Sequence, residues 1–180
     1  MASRSISLSA IILKRRNIGE TDRIVTLLTK KMGKIVCITK GVRKLSSSKR
    51  AFMEPGNIVQ ILLIKTKSLP ILTQAKLIDD ASSIRADLSS IRQLVQILEI
   101  FDKLFVEEEI PTEIYQTVLK IRGYLISHET RLIRGLLKRL ILQLGFPEPN
   151  MKQYESILEY VQEIAERPMK SFKYLAVTNK

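Results

Sequence analysis

The sequence has few of the residues that form disulfides, metal sites or stacking surfaces. Among its 180 residues, Cys37 is the single cysteine and His128 the single histidine, and tryptophan does not occur. An internal disulfide is therefore excluded, and a structural zinc site, which needs four cysteine or histidine ligands, is not expected. Phe52 is the only aromatic residue in the first 80 positions, so we expect no surface there that stacks several bases. We also expect no cofactor.

Long apolar runs and catalytic motifs are missing too. The short apolar stretch near the N-terminus is interrupted at Lys14 and fits neither a signal peptide nor a membrane span, so we expect a reduced, cytoplasmic location. There is no Gly-rich phosphate loop, and no motif places a serine or a cysteine beside His128. Enzyme activity is therefore not expected. A Mg²⁺-dependent nuclease that uses Glu20 and Asp22 is the catalytic alternative.

Positive charge, in contrast, is abundant and unevenly distributed. The chain has 30 Lys and Arg against 18 Asp and Glu, a net charge of +12. Residues 1–80 contain 16 basic and 5 acidic residues, whereas residues 81–180 contain 14 and 13. Such a concentrated field attracts polyanions, and nucleic acid is the usual polyanionic partner of a basic domain. The pattern predicts a nucleic-acid-binding part that ends near residue 80, the alternative being a basic surface without a partner.

The basic part has the pattern of a small antiparallel barrel. Short β-branched runs alternate with turns in five segments, residues 7–14, 23–29, 34–40, 57–65 and 69–77. Gly33 is placed to take a positive φ in a tight turn. Strands this closely spaced leave no room for crossover helices, so we expect a five-stranded OB-type β-barrel over residues 1–79. The Ser-rich segment 40–50 is too polar to pack, and we expect it to be exposed and mobile.

Residues 80–180 show the three- and four-residue periodicity of amphipathic helices. The periodicity predicts one helix over about 87–107, a second that begins at Pro111, a third that begins at Glu129 and stops at Gly145, and a fourth over about 154–164. The fold class is therefore α+β, with the N-terminal barrel followed by a C-terminal α-helical bundle domain. We expect the last dozen residues to be loose.

Basic residues concentrate around the predicted barrel loops. The positions expected to contact DNA are Lys14, Arg15, Arg16, Lys40, Arg43, Lys44, Lys49 and Arg50. Each phosphate contact releases counterions, so affinity for single strands should fall with salt by a log–log slope of about −0.7 per contact. Phe52 is placed to meet either a base or the core, and Cys37, in a predicted strand, is expected in the core.

A second basic group lies beside the leucine stripe of the third predicted helix and consists of Arg131, Arg134, Lys138 and Arg139. One interpretation is that these side chains solvate the outer face of a core helix. The other is that they form the cationic rim of an apolar groove, which suits an acidic peptide with hydrophobic ends. The sequence leaves both open.

The sequence from residue 10 to residue 29, AIILKRRNIGETDRIVTLLT, resembles the start of the RecO family of bacterial recombination mediators. The resemblance continues through residues 33–35, 40–44, 54–55, 69–77 and 140–149. It implies an N-terminal OB-fold, a helical domain, binding to single- and double-stranded DNA, strand annealing, and recombinase loading with RecR. It also implies docking onto the acidic tail of single-stranded-DNA-binding protein. In this family the basic residues of segments 14–16 and 40–50 would contact DNA, while Glu20 and Asp22 would orient the turn and pair with Arg23.

One departure from the family concerns zinc. Many relatives have four cysteines after the equivalent of Leu144-Gly145-Phe146-Pro147, and residues 148–153 contain none. The resemblance therefore implies a shortened RecO-like protein without the zinc-binding module. Because phosphate contacts alone do not tell RNA from DNA, an RNA-directed OB-fold binding module is the alternative function.

Overall fold

A computed structural model describes residues 5–150, 153–154, 156–166, 168 and 170–171. The chain forms two compact units, one of Met1–Ala81 with Phe105–Ile110 and the other of Ser82–Leu104 with Pro111–Lys180. The sequence predicts that the barrel domain ends at residue 79 and the helical domain begins at residue 80, and this domain boundary stays a prediction. Most of the final dozen residues, 172–180 in particular, lie outside the described residues.

The first unit is a closed five-stranded barrel. Its strands are β1 (Ser5–Ile18), β2 (Asp22–Thr29), β3 (Gly33–Thr39), β4 (Ile58–Ile64) and β5 (Ile71–Asp79). They follow one another around the barrel as β1-β2-β3-β5-β4. All pairings are antiparallel except that of β3 with β5, which is parallel. This is the Greek-key arrangement of an OB-fold, so the α+β class with an OB-type barrel is confirmed.

β1 is longer than the sequence indicates because it serves two neighbours. Its first half pairs with β4 as far as Ile11, and its second half pairs with β2 as far as Ile18. The register shifts between Ile12 and Lys14, and such a bulge bends a strand from one sheet direction into another. The predicted end of the first strand at residue 14 is therefore wrong, since the charged residues after the bulge continue as a paired strand.

The barrel is filled by the inward-facing aliphatic side chains of all five strands, together with two loop residues. Val42, within the segment 40–50, and Met53, just after it, are fully buried in this core. Cys37 is buried there as well, as the sequence predicts. Such a core positions the strands and leaves the charged side chains at the barrel ends and outer faces.

Gly33 has the predicted positive φ, +60°, in the turn between β2 and β3. It also lies against the segment Phe105–Ile110: the Lys34 N–H donates to Val106 at 2.8 Å, and the Ile110 N–H donates to Lys30 at 2.8 Å. These hydrogen bonds hold the segment on the barrel.

The second unit contains α1 (Leu88–Leu104), α2 (Thr112–Ile126), α3 (Ile133–Gln143) and α4 (Ile157–Ile164). The predicted extension of the first helix to residue 107 is wrong, because the chain from Phe105 onward bonds to the β2–β3 turn instead. The third helix begins four residues later than Glu129, after a 3₁₀ turn, and ends as predicted before Gly145, whose φ is +84°. None of the helices in the described part of the chain is long and apolar enough to cross a membrane.

Candidate nucleic-acid interface

The three basic residues of β1 lie on both faces of one strand. Arg15 pairs with Val25, which is fully buried in the core. Directly paired residues share a face of the sheet, so Arg15 is on the inward face at this end of the barrel, and Lys14 and Arg16 are on the outward face. Lys14 and Arg16 are exposed, and the Arg15 side chain keeps about a third of its surface exposed.

The basic segment between β3 and β4 is anchored at both ends. At its start, the Val42 side chain is buried, and the neighbouring Arg43 N–H donates to the Thr21 carbonyl at 2.9 Å; together these contacts form the first anchor. Its second anchor is the buried side chain of Met53. The expectation that this segment does not pack is wrong at Val42, whereas most of its residues are exposed as expected. Its mobility stays a prediction.

The charges of this segment divide into exposed and engaged groups. Lys40, Lys44 and Arg50 are exposed. Arg43 is half-buried and its Nη1 donates to the Gly19 carbonyl at 3.1 Å, while the Lys49 ammonium donates to the Thr73 carbonyl at 3.2 Å. The Arg43 contact brings the segment to the β1–β2 loop, one of the loops through which OB-folds bind nucleic acid.

Arg23 is buried beneath this basic surface. It lies between Asn17 on β1 and Thr39 on β3, in one inward-facing row across three strands. The Arg23 side chain is 8% exposed, and its Nε donates to Asn17 Oδ1 at 3.1 Å. The buried Arg23 Nη1 and the buried Thr39 Oγ1 have no hydrogen-bond partner. Side chains alternate between the two faces of a strand, so an inward Val25 places Arg23, two residues earlier, inward as well. The sequence carried this signal, but Arg23 was not among the predicted site residues.

The charges of three arginines act on Arg23 at this end of the barrel, and we call Arg15, Arg23, Arg43 and Arg50 the arginine cluster. Burial lowers the pKa of the Arg23 guanidinium, and the charges of the other three arginines lower that pKa further. The Glu54 carboxylate opposes this effect, and it forms an ion pair with Arg15. The sequence identified Glu54 only as part of a turn. The structure brings it to the cluster as a counter-ion.

Asp22 fixes the start of the basic segment. Its Oδ1 accepts hydrogen bonds from the Gly41 N–H at 2.8 Å and from the Thr21 hydroxyl at 3.1 Å. The Gly41 bond is the main cause that holds the pKa of Asp22 below its usual value. The expected role in orienting the turn agrees with this geometry, but the expected pairing with Arg23 does not, because Arg23 donates to Asn17. In the described part of the chain no three or more His, Cys, Asp or Glu side chains come together to hold a metal ion.

The two residues singled out for their side-chain chemistry both contribute to the core. Phe52 is half-buried and packs against the barrel core, so it is not a free platform for a base. The Cys37 thiol is fully buried at 3.7 Å from the Val25 carbonyl, and burial raises its pKa to about 12.

The second basic group is only partly assembled on one face. Arg131 lies in the 3₁₀ turn Thr130–Leu132 rather than in the helix, and Arg139 is about 100° around α3 from Lys138. Arg134 and Lys138, four residues apart, share a face. Leu142 follows one turn later and is 48% exposed, so this face offers two cations beside an apolar side chain.

Comparisons with known proteins agree with the barrel. Residues 1–81 match the family model described as "Recombination protein O N terminal". The chain is similar to proteins named "DNA repair protein RecO". The one from Heliobacterium modesticaldum is 36% identical over 95 residues, which are 53% of this chain and 35% of the relative.

Two further relatives are similar over more of the helical part. The protein from Shouchella clausii is 30% identical over 144 residues, covering 79% of this chain and 56% of the relative. The protein from Syntrophomonas wolfei is 27% identical over 139 residues, covering 76% and 56%. The chain thus spans between about a third and just over half of the length of these relatives. Residues 1–81 of the chain, which include the barrel, therefore belong to the N-terminal domain of the RecO family.

Proposed function

We propose that the protein is a non-catalytic DNA-binding recombination mediator that acts in DNA repair. It binds single- and double-stranded DNA, promotes annealing of complementary strands, and loads recombinase together with partner proteins. The observation that carries the proposal is the arginine cluster, which β1, β2 and the anchored basic segment form together at the end of a barrel whose relatives are named as DNA repair proteins.

The DNA contacts are phosphate contacts. Lys40, Lys44 and Arg50 project from a segment that is held at Val42 and Met53, so their charges are presented without the entropy cost of ordering a free loop. Lys14 and Arg16 extend the basic surface along the outward face of β1. The anchored geometry and the +11 excess of the first 80 residues favour a strand that lies along this end of the barrel.

Binding of this kind has little sequence preference. Phe52 packs against the core, so the barrel has no aromatic platform on which bases stack. A protein that holds only the backbone leaves base edges available for pairing. This is what annealing of complementary strands requires, since the bound strand must still find its complement.

The helical unit is the proposed partner-binding part. The α3 face of Arg134, Lys138 and Leu142 has the chemistry that an acidic peptide with hydrophobic ends would recognise, and the acidic tail of single-stranded-DNA-binding protein is the proposed occupant. Arg131 and Arg139 flank this face and contribute long-range attraction. RecR is the proposed partner in recombinase loading, and the cytoplasm is the proposed location.

The proposal is tested by annealing complementary strands that are coated with single-stranded-DNA-binding protein. We expect acceleration of annealing on coated strands, and loss of this acceleration when the acidic tail is deleted from the coating protein. Matched DNA and RNA oligonucleotides are titrated in parallel. A strong preference for RNA, or no acceleration on DNA at any protein concentration, contradicts the proposal, and the former outcome supports an RNA-binding module.

A further inference from the structure

We propose that Arg23 and Thr39 form the floor of a pocket that binds a single phosphate group, and that Glu54 is the resident counter-ion which this phosphate displaces. The inference deepens the proposed DNA binding and rests on it for the identity of the physiological ligand. A nucleic-acid strand can supply such a phosphate in two ways, as an internal phosphodiester or as a terminal phosphate.

The first argument is the pair of unsatisfied donors. Arg23 Nη1 and Thr39 Oγ1 are both buried and both lack a hydrogen-bond partner, a condition that is rare in folded proteins. The two residues are directly paired across β2 and β3, so their Cβ atoms are about 5 Å apart on the same face. A guanidinium can only donate. The missing partner is therefore an acceptor, and one group with several oxygens can meet both donors.

The second argument is the charge of the surroundings. The arginine cluster has four guanidinium groups, and the Glu54 carboxylate opposes their effect on Arg23. Arg43 and Arg50 come from the anchored basic segment and Arg15 from β1, so two separate elements direct positive charge at one buried donor. Such an arrangement destabilises the empty site and favours a bound anion. Guanidinium groups also match the geometry of phosphate oxygens.

The third argument is the position of Glu54. Its carboxylate pairs with Arg15, and the side chains of both residues keep about a quarter to a third of their surface exposed. The backbone beside it is fixed, since the Asn57 N–H donates to the Glu54 carbonyl at 3.1 Å and the Gly56 N–H donates to Ile12 at 2.9 Å. The Glu54 side chain can therefore move without a change in the backbone. When it turns to solvent, Arg15 becomes a further donor for the phosphate.

Two substitutions separate this site from the general basic surface. Thr39→Val keeps the shape and removes the hydroxyl, and we expect affinity for a short single strand to fall about tenfold, as for one missing hydrogen bond to a charged group. Glu54→Gln removes the competing charge, and we expect affinity to rise up to about fivefold, the range of a partly exposed ion pair. Lys67→Gln, at an exposed lysine in the β4–β5 connection, is the control for removal of one charge.

The deciding experiment follows the Arg23 Nε–Hε resonance of the ¹⁵N-labelled full chain, assigned with Arg23→Lys, during titration with inorganic phosphate at constant ionic strength. We expect a saturable shift that is weaker in Thr39→Val and unchanged in Lys67→Gln. No saturable shift overturns the phosphate site, even if the chain binds DNA normally. If phosphate shifts the resonance but the chain does not bind DNA, the result supports the pocket and contradicts the proposed function.

A second titration identifies the source of the phosphate. Short single strands with and without a 5′-phosphate are compared on the same resonance. Equal shifts with both strands mean that the pocket binds an internal phosphodiester. A shift that occurs only with the 5′-phosphorylated strand means that the pocket binds a strand end. If neither strand shifts the Arg23 resonance while both bind the chain, nucleic-acid phosphates do not enter the pocket and the inference is overturned.

Discussion

Gly33 is the position where the structure makes the sharpest prediction about stability. A Cβ atom added there would lie 2.2 Å from the Glu108 carbonyl oxygen and 2.3 Å from that of Val106. Both obstacles are backbone atoms, so no side-chain rotation relieves the overlap. The Gly33→Ala variant must therefore either distort the β2–β3 turn or push the segment Phe105–Ile110 off the barrel.

The size of the destabilisation is the sum of the backbone strain at residue 33 and the hydrogen bonds that are lost. An L-residue at φ +60° costs about 1–2 kcal/mol by itself. Moving the segment far enough to reach ordinary contact breaks the two 2.8 Å hydrogen bonds at Lys34 and Ile110, worth about 0.5–1.5 kcal/mol each. We expect Gly33→Ala to lower the free energy of unfolding of the barrel by roughly 2–5 kcal/mol.

Gly19 provides a matched control. Its φ is +54°, and no atom lies within 4 Å of a Cβ built there, so Gly19→Ala should cost only the backbone strain of about 1–2 kcal/mol. Urea unfolding followed by circular dichroism measures both variants. Equal destabilisation of the two variants would refute the reasoning, because it would mean that no segment approaches Gly33.

Three further predictions concern separate features. The Cys37 thiol, whose pKa is raised to about 12 by burial, should react with a thiol reagent at neutral pH only at the rate of unfolding; rapid labelling of the folded chain contradicts its burial. The pKa of Asp22 is lowered in the folded state, so its contribution to stability is present above the unfolded pKa of about 4 and is lost as pH falls toward the folded pKa. Asp22→Asn should therefore destabilise the chain at pH 7 but not in strong acid, and a difference that persists unchanged at low pH would count against the Gly41 contact. Charge reversal at Arg134 and Lys138 should weaken binding of an acidic hydrophobic peptide and spare DNA binding, whereas reversal at Arg139 should have a smaller effect; equal loss of peptide and DNA binding means that this face is wrongly assigned.

The barrel could be predicted from local sequence because its strands are β-branched runs separated by turn residues. The end of β1 could not, since Arg15 and Arg16 are extended through pairing with β2, a contact that composition does not encode. Phe105 fits the α1 stripe by periodicity. Its departure from the helix depends on hydrogen bonds to a turn about 70 residues earlier in the chain, which local patterns do not reveal.

The types of residue at the candidate site could be predicted from the sequence, but their burial and their contacts could not. The exposed lysines and arginines follow from charge in polar segments. Burial of Arg23 beside Thr39 depends on register, and the ion pair of Glu54 with Arg15 joins residues 39 positions apart. Val42 and Met53 show the same limit, because two apolar residues within a polar stretch anchor it only when a barrel end is there to receive them.

The central claim, that the barrel holds the nucleic-acid backbone through its basic segment, is tested most directly by the salt dependence of binding to single-stranded DNA. The variant replaces Arg43, Lys44, Lys49 and Arg50 with alanine. A control with the same reduction in charge replaces the exposed residues Lys31, Lys65, Lys67 and Lys76. We predict that the log–log slope becomes shallower by about 0.7 for each phosphate that the first variant no longer neutralises, with little change in the control. An unchanged slope in the first variant, or a larger change in the control, would contradict the claim.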